Sequence, residues 1–221
     1  MTADVGPAWS GEAYDAWYEE PWGRYAFAVE TQAVLSALGS LAAGRVLDGG
    51  CGSGRLLPVL AARDTAAVGL DLEPAMLTVA ARRTGVPLVR GDVQLLPFPA
   101  AVFDAAVAVV EFVSDPALAI EELCRVVRPG GRLVIGALNP RSPWGITHRW
   151  ALRGLPWEAA RFLRRDELCD LARPYGHVTV RGALFAPGAM PGLSWLGPLL
   201  EQLGGFMPSV DAFQVITIDR R

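Results

Sequence analysis

The sequence contains no lysine; all 20 of its basic residues are arginine. That absence removes Schiff-base catalysis, pyridoxal anchoring and the lysine of a Walker phosphate loop. Histidine is nearly as scarce, with only His148 and His177, so a histidine-centred triad has just two candidate centres. The three cysteines, Cys51, Cys124 and Cys169, are odd in number and far apart, and no CxxC or HxxxH spacing occurs. Neither a disulfide framework nor a zinc site is expected, and the cysteine usage suits a reducing cytoplasm. The longest strongly apolar run, Ala105 to Val110, is far too short to span a bilayer. The acidic start, MTADVGPAWSGEAYDAWYEE, has no apolar stretch of the kind a signal peptide needs. A net charge of −3 and a pI near 5.4 give no electrostatic footprint for nucleic acid or an anionic membrane.

What the chain has is apolar mass. Over 221 residues, 52% are hydrophobic and 19% charged, enough for one folded domain with a sizeable core. Short β-branched runs alternate with longer Ala/Leu-rich segments of helical period, the pattern of an α/β fold with a mostly parallel sheet. Strands are expected at 45–47, 66–70, 87–90, 105–110, 132–138, 178–185 and 213–218, the last alternating enough to be an edge or antiparallel partner. Helices are expected at 55–63, from Pro74 to about Thr84, from Asp115-Pro116 to about Arg128, and over 164–172. Two Pro/Gly/Trp-rich stretches, 140–163 and 186–210, interrupt the alternation. Loops of that length usually carry function, and the apolar 186–210 stretch suits a cap over a hydrophobic acceptor, with core packing, a membrane contact or a dimer interface as alternatives.

The informative stretch is Val46-Leu47-Asp48-Gly49-Gly50-Cys51-Gly52-Ser53-Gly54, a strand entering a glycine loop that opens a helix. Glycines let the chain turn sharply and let a ligand lie against bare main chain. A tight strand-to-helix turn is the plain structural alternative. A dinucleotide fingerprint needs G-x-G-x-x-G, whereas the spacing here is G-x-G-x-G with Asp48 two positions before it. Asp48 would repel a pyrophosphate but suit an ammonium group, which disfavours a nicotinamide-dependent oxidoreductase. Asp71 ends the second strand, where a carboxylate can either hold ribose hydroxyls or cap the next helix, and Gly91-Asp92 follows the third. The three acidic positions, each after its own strand, point together to one ligand at the carboxyl edge of the sheet.

These segments resemble the class I S-adenosylmethionine-dependent methyltransferases, nearest the UbiE/COQ5-like group. The resemblance is carried by VLDGGCGSG (46–54), GLDLEPAML (69–77), GDVQLLPFP (91–99), FDAAVAVVEFVSDP (103–116) and LCRVVRPGGRLVIGALN (123–139). It implies a Rossmann-like seven-stranded, mostly parallel sheet with helices on both faces and the last strand antiparallel. The single domain would comprise a helical lid (1–40), a cofactor-binding core (41–140), a substrate-side segment carrying strand six (141–210) and a final strand (211–221).

The implied cofactor is S-adenosylmethionine. Gly50, Cys51 and Gly52 would pack against its aminoacyl part, Asp71 would hold the ribose, Asp92 with Val93 would read the adenine edge, and Leu72 and Met76 would flank the adenosine. Glu111, after strand four, would lie by the sulfonium. Gly49 stands where relatives often carry a larger apolar residue. The lid implies that Tyr14, Trp17, Tyr18 or Tyr25 lines the site and that Arg24 meets the methionyl carboxylate. Cys51 is read as a small loop residue, not a nucleophile. A hydroxyl acceptor would need a base, for which Glu111, His148 and Tyr25 are the candidates. The expected partner is a small, apolar or aromatic acceptor, with the protein a monomer or homodimer. A non-catalytic cofactor-binding module and aminopropyl transfer are the alternatives.

Overall fold

The computed structural model describes residues 11–40, 44–143, 145–146, 160–185, 197–204 and 210–221. Seven strands build one sheet: β1 (Arg45–Gly49), β2 (Ala66–Asp71), β3 (Leu88–Arg90), β4 (Phe103–Val109), β5 (Val127–Leu138), β6 (Gly176–Ala183) and β7 (Phe213–Arg220). Among the described residues the α-helices are α1 (Gly11–Trp17), α2 (Pro21–Leu38), α3 (Leu57–Ala61), α4 (Pro74–Arg83), α5 (Pro116–Val126), α6 (Arg165–Ala172) and α7 (Gly197–Gly204). The spatial order is β3-β2-β1-β4-β5-β7-β6. Strands β1 to β5 pair in parallel, and β7 runs antiparallel to both β5 and β6.

Local chemistry explains the helix starts. Asp115 accepts from Ala117 N at 3.0 Å and Leu118 N at 3.2 Å, satisfying two otherwise orphaned donors of α5, and Pro116 needs none. Pro74 opens α4 in the same way. Along β1 the side chains alternate between two cores: Val46 joins Leu57 and Leu60 of α3 and Val34 of α2, whereas Leu47 joins Ile120 and Leu123 of α5 and Leu168 of α6. Each fully buried leucine or isoleucine contributes about 1.5–3 kcal/mol relative to exposure.

The seventh strand is antiparallel but not an edge. All of Phe213–Ile218 is buried, because β7 inserts between β5 and β6. The edge is β6, where His177, Thr179 and Arg181 are exposed in alternation. Helix α3 is shorter than the expected 55–63, and β5 starts five residues earlier than expected, at Val127. Among the described residues no helix is long and apolar enough to cross a membrane.

Sheet order reverses direction at β1, which lies between β2 and β4. A crevice opens at such a point beyond the carboxyl ends of the strands, and the glycine loop leaves β1 there.

Candidate functional site

The loop is shaped by three residues in the left-handed region: Gly50 (φ 80°), Gly52 (φ 53°) and Gly54 (φ 74°). Their reasons differ. A side chain on Gly54 would stand 2.8 Å from Ala80 Cβ, so this glycine admits α4 against the loop, whereas Gly50 and Gly52 have no neighbour closer than 3.7 and 3.9 Å. The last two leave half-buried main chain along the wall of a cavity. Gly50 N and Cys51 N both donate to Leu70 O, at 2.7 and 2.9 Å. Asp71 accepts from Gly52 N at 2.7 Å and from Glu73 N at 2.9 Å, so its carboxylate latches the loop to the end of β2. Burial raises the Asp71 pKa, and these two N–H groups work against that rise. Burial likewise pushes the Cys51 thiol far up, which keeps it protonated and unreactive.

A half-buried ionic knot ties α1 onto this loop. Asp15 accepts from Ser53 Oγ (2.7 Å), Arg55 Nε (2.7 Å) and Arg83 Nη2 (2.6 Å), and Arg83 also donates to Ser53 O. Burial alone would raise the Asp15 pKa, but the bonds from Arg83, Arg55 and Ser53 outweigh it and hold the carboxyl down at about 2. The Arg55 guanidinium also lies 5.1 Å from the centre of the Tyr18 ring. Helix α1 and the aromatic turn after it are thereby fixed above the cleft.

Beneath them lie two cavities that share Tyr14, Tyr18, Glu30, Val109 and Phe213. One, about 730 Å³ with its open mouth included, is lined by the Gly50–Ser53 main chain, Asp48, Val107–Val109 and Gly136. The other, about 580 Å³ on the same basis, is walled by Tyr14, Trp17, Tyr18, Trp22, Phe112 and Phe213, with Glu30, Glu111 and Leu138. Three carboxyls line these adjoining cavities. Burial, then the charge of Glu111, pushes Glu30 up to about 8. Burial, then Asp71, raises Asp48 to about 7. Glu111 reaches about 7 through burial, opposed by backbone donors including Leu138 N at 2.8 Å. Asp48 is 5% and Glu111 4% exposed, yet Asp48 Oδ2 and Glu111 Oε2 have no hydrogen-bond partner among the described residues. Tyr14 and Tyr18 share a 3.0 Å hydroxyl–hydroxyl bond, and burial lifts Tyr14 to about 12.

Of the residues singled out in the sequence, the structure brings Tyr14, Trp17, Tyr18, Asp48, Gly50, Cys51, Gly52 and Glu111 to these cavities. Asp71 ends β2, Leu72 and Asp92 follow the ends of β2 and β3, and Met76 is in the first turn of α4; none of the four lines either cavity. Leu72 is 51% exposed, while Val93 is buried in the core. Asp92 accepts from Gln94 N at 2.8 Å, a turn bond that leaves its second oxygen to the Gln94 amide.

Two placements differ from expectation. Arg24 is exposed on α2 and lines neither cavity; the arginine at the cleft is Arg55, already held by Asp15 and Glu19. Tyr25 also lies outside both linings, because its hydroxyl donates to Glu201 at 3.2 Å, and burial beside Glu201 raises its pKa to about 12, too high for a base. His148 and most of 186–210 lie outside the described residues, and His177 is exposed on β6. Glu30, Asp15, Trp22, Phe112 and Phe213 were not singled out. For Glu30 a signal existed: it sits four residues from both Ala26 and Val34, buried positions on one face of α2.

A methyltransferase domain family matches residues 47–135. An uncharacterized protein of Mycobacterium tuberculosis is 35% identical over 180 residues, covering 80% of this chain and 61% of that protein. The chain thus spans about three-fifths of the length of that relative. An uncharacterized methyltransferase of Bacillus subtilis is 30% identical over 129 residues, covering 53% of this chain and 71% of its own length. Among solved structures, a Thermotoga maritima S-adenosylmethionine-dependent methyltransferase, described as a possible histamine N-methyltransferase, superposes with a TM-score of 0.75 at 27% identity over 95% of both chains. The glycine loop latched by Asp71 at the switch point, the sheet order and these matches agree, and the chain belongs to the class I S-adenosylmethionine-dependent methyltransferases.

Proposed function

We propose that this protein moves a methyl group from S-adenosylmethionine to a small acceptor with an apolar or aromatic body. The observation that carries the reading is the adjacency of the two cavities, which share five lining residues: a glycine main chain with a buried carboxyl lines one, and aromatic rings wall the other. The first suits a cationic amino-acid moiety, with Asp48 Oδ2 facing its ammonium and the Gly50–Ser53 backbone alongside. Asp71, which keeps a lone pair on each oxygen after its two backbone bonds, would take the ribose hydroxyls. Leu72, Met76, Asp92 and Val93 would surround the adenine side.

When bound, the cofactor supplies a methyl already activated by its sulfonium, so no catalytic triad is required. The chain aligns the acceptor and excludes water with the α1–α2 cover, an orientation effect of up to about 7–11 kcal/mol in favourable cases. Of the three base candidates, Glu111 alone lines the chamber among the described residues, with one carboxylate oxygen free to receive a proton.

Calorimetry tests the reading directly. S-adenosylmethionine and S-adenosylhomocysteine should bind, and NADH should not; absence of heat with both sulfur ligands would refute the proposal. Asp71→Ala should weaken S-adenosylhomocysteine binding while leaving a cooperative thermal transition, and unchanged affinity would reduce Asp71 to a loop latch.

A further inference from the structure

We infer that the acceptor is a small aromatic or arylalkyl amine, held by its nitrogen between Glu111 and Glu30 inside the aromatic chamber. The inference rests on the methyltransferase reading above and names the substrate class of that same site. Its starting point is an incomplete pairing. Glu111 Oε1 is used by Leu138 N, but Oε2, in a side chain that is 4% exposed, has no partner among the described residues. A buried carboxylate oxygen without a donor is costly, and native structures rarely leave one without a reason.

Among the described residues no donor of the chamber wall bonds that oxygen, and the Tyr14 and Tyr18 hydroxyls bond each other. The chamber's described lining has two carboxyls, six aromatic rings and no arginine or histidine. Ring faces attract cations, and carboxylates pair with them, so the walls and the two acids select the same kind of ligand. A carboxylic acid would bring a negative charge that this described lining, with no arginine or histidine, cannot pair. A phenol or alcohol brings one donor and no charge, whereas an ammonium brings charge and two or three donors, enough for both acids.

The same oxygen serves the chemistry. An ammonium has no lone pair to offer, so the acceptor must lose one proton before its nitrogen can form a new bond to carbon. Glu111 Oε2 is placed to take that proton, and the carboxyl passes it to solvent when the product leaves.

The test uses the whole protein saturated with S-adenosylhomocysteine and titrated calorimetrically with 2-phenylethylamine, its uncharged isostere 2-phenylethanol, and 3-phenylpropionate. The amine should bind about ten-fold or more tightly than the alcohol, as expected for a charge-assisted bond, and the acid should give no heat. In Glu30→Gln and Glu111→Gln the amine-to-alcohol preference should fall to within about three-fold of unity. An amine that binds no tighter than the alcohol in the unsubstituted protein, including no binding by either, overturns the inference, as does a preference that survives both substitutions. Should Glu111→Gln not fold, Glu30→Gln and the unsubstituted protein decide the question. Failure of S-adenosylhomocysteine itself to bind is a separate result, and it refutes the methyltransferase reading instead.

Discussion

Replacing Glu111 by glutamine should flatten the pH dependence of stability. In the folded protein the Glu111 carboxyl keeps its proton up to about pH 7, against an ordinary value of 4.5, because it is buried. Between those two values the native state therefore binds more protons than the unfolded chain, and stability falls as pH rises. One such group lowers stability by roughly 1.4 kcal/mol per pH unit in that window, or about 3 kcal/mol in all. For a chain of this size that corresponds to roughly 6–12 °C in melting temperature. Glutamine preserves an oxygen for Leu138 N and carries no titrating proton, at the cost of an amide nitrogen left facing the chamber. The ligand-free protein should thus be more stable at pH 5 than at pH 8, and Glu111→Gln should lose about 1.4 kcal/mol per unit of that slope, with Glu30 and Asp48 supplying the remainder. Urea denaturation at pH 5, 6, 7 and 8 reads the slopes. Equal slopes in the two proteins, or stability that rises across this range, would refute the burial argument.

Two further outcomes follow from the loop and its cover. Gly54→Ala combines left-handed backbone strain with a 2.8 Å clash against Ala80 and should cost about 2–5 kcal/mol, whereas Gly52→Ala should cost only about 1–2 kcal/mol but weaken S-adenosylhomocysteine binding by putting a methyl on main chain that lines the cavity. Equal losses of stability by thermal denaturation would show that the Gly54–Ala80 approach is not tight. Asp15→Asn should lower stability by about 2 kcal/mol at neutral pH, since a carboxyl depressed from 3.8 to about 2 stabilises the fold above pH 4. That difference should shrink as pH falls from about 4 towards 2, and a difference independent of pH would mean that the ionic knot contributes nothing through charge.

Much of the site was legible because its signals are local. The glycine spacing after β1, Asp71 at the end of β2 and Asp115-Pro116 before α5 each act within a few residues, and all three stand at the element ends that the sequence predicts. Arg24 illustrates the opposite case. An arginine amid aromatics reads as a carboxylate partner, but which face of α2 it occupies depends on how that helix packs, and the packing turns Ala26 and Glu30 towards the cleft instead. The role of Asp15 depends on Ser53, Arg55 and Arg83, thirty-eight or more residues away along the chain, a grouping that no local pattern encodes.

The sequence by itself determined the alternation of strands and helices, the glycine loop, the exclusion of lysine-dependent chemistry and, through five motifs, the family. Each of these follows from short-range backbone preference or from composition. Tertiary structure decided the insertion of β7 between β5 and β6, which brings Phe213 to the chamber, and the meeting of Glu30 on α2 with Glu111 after β4. Long-range pairing and desolvation create those features, and neither is a property of any single stretch of chain.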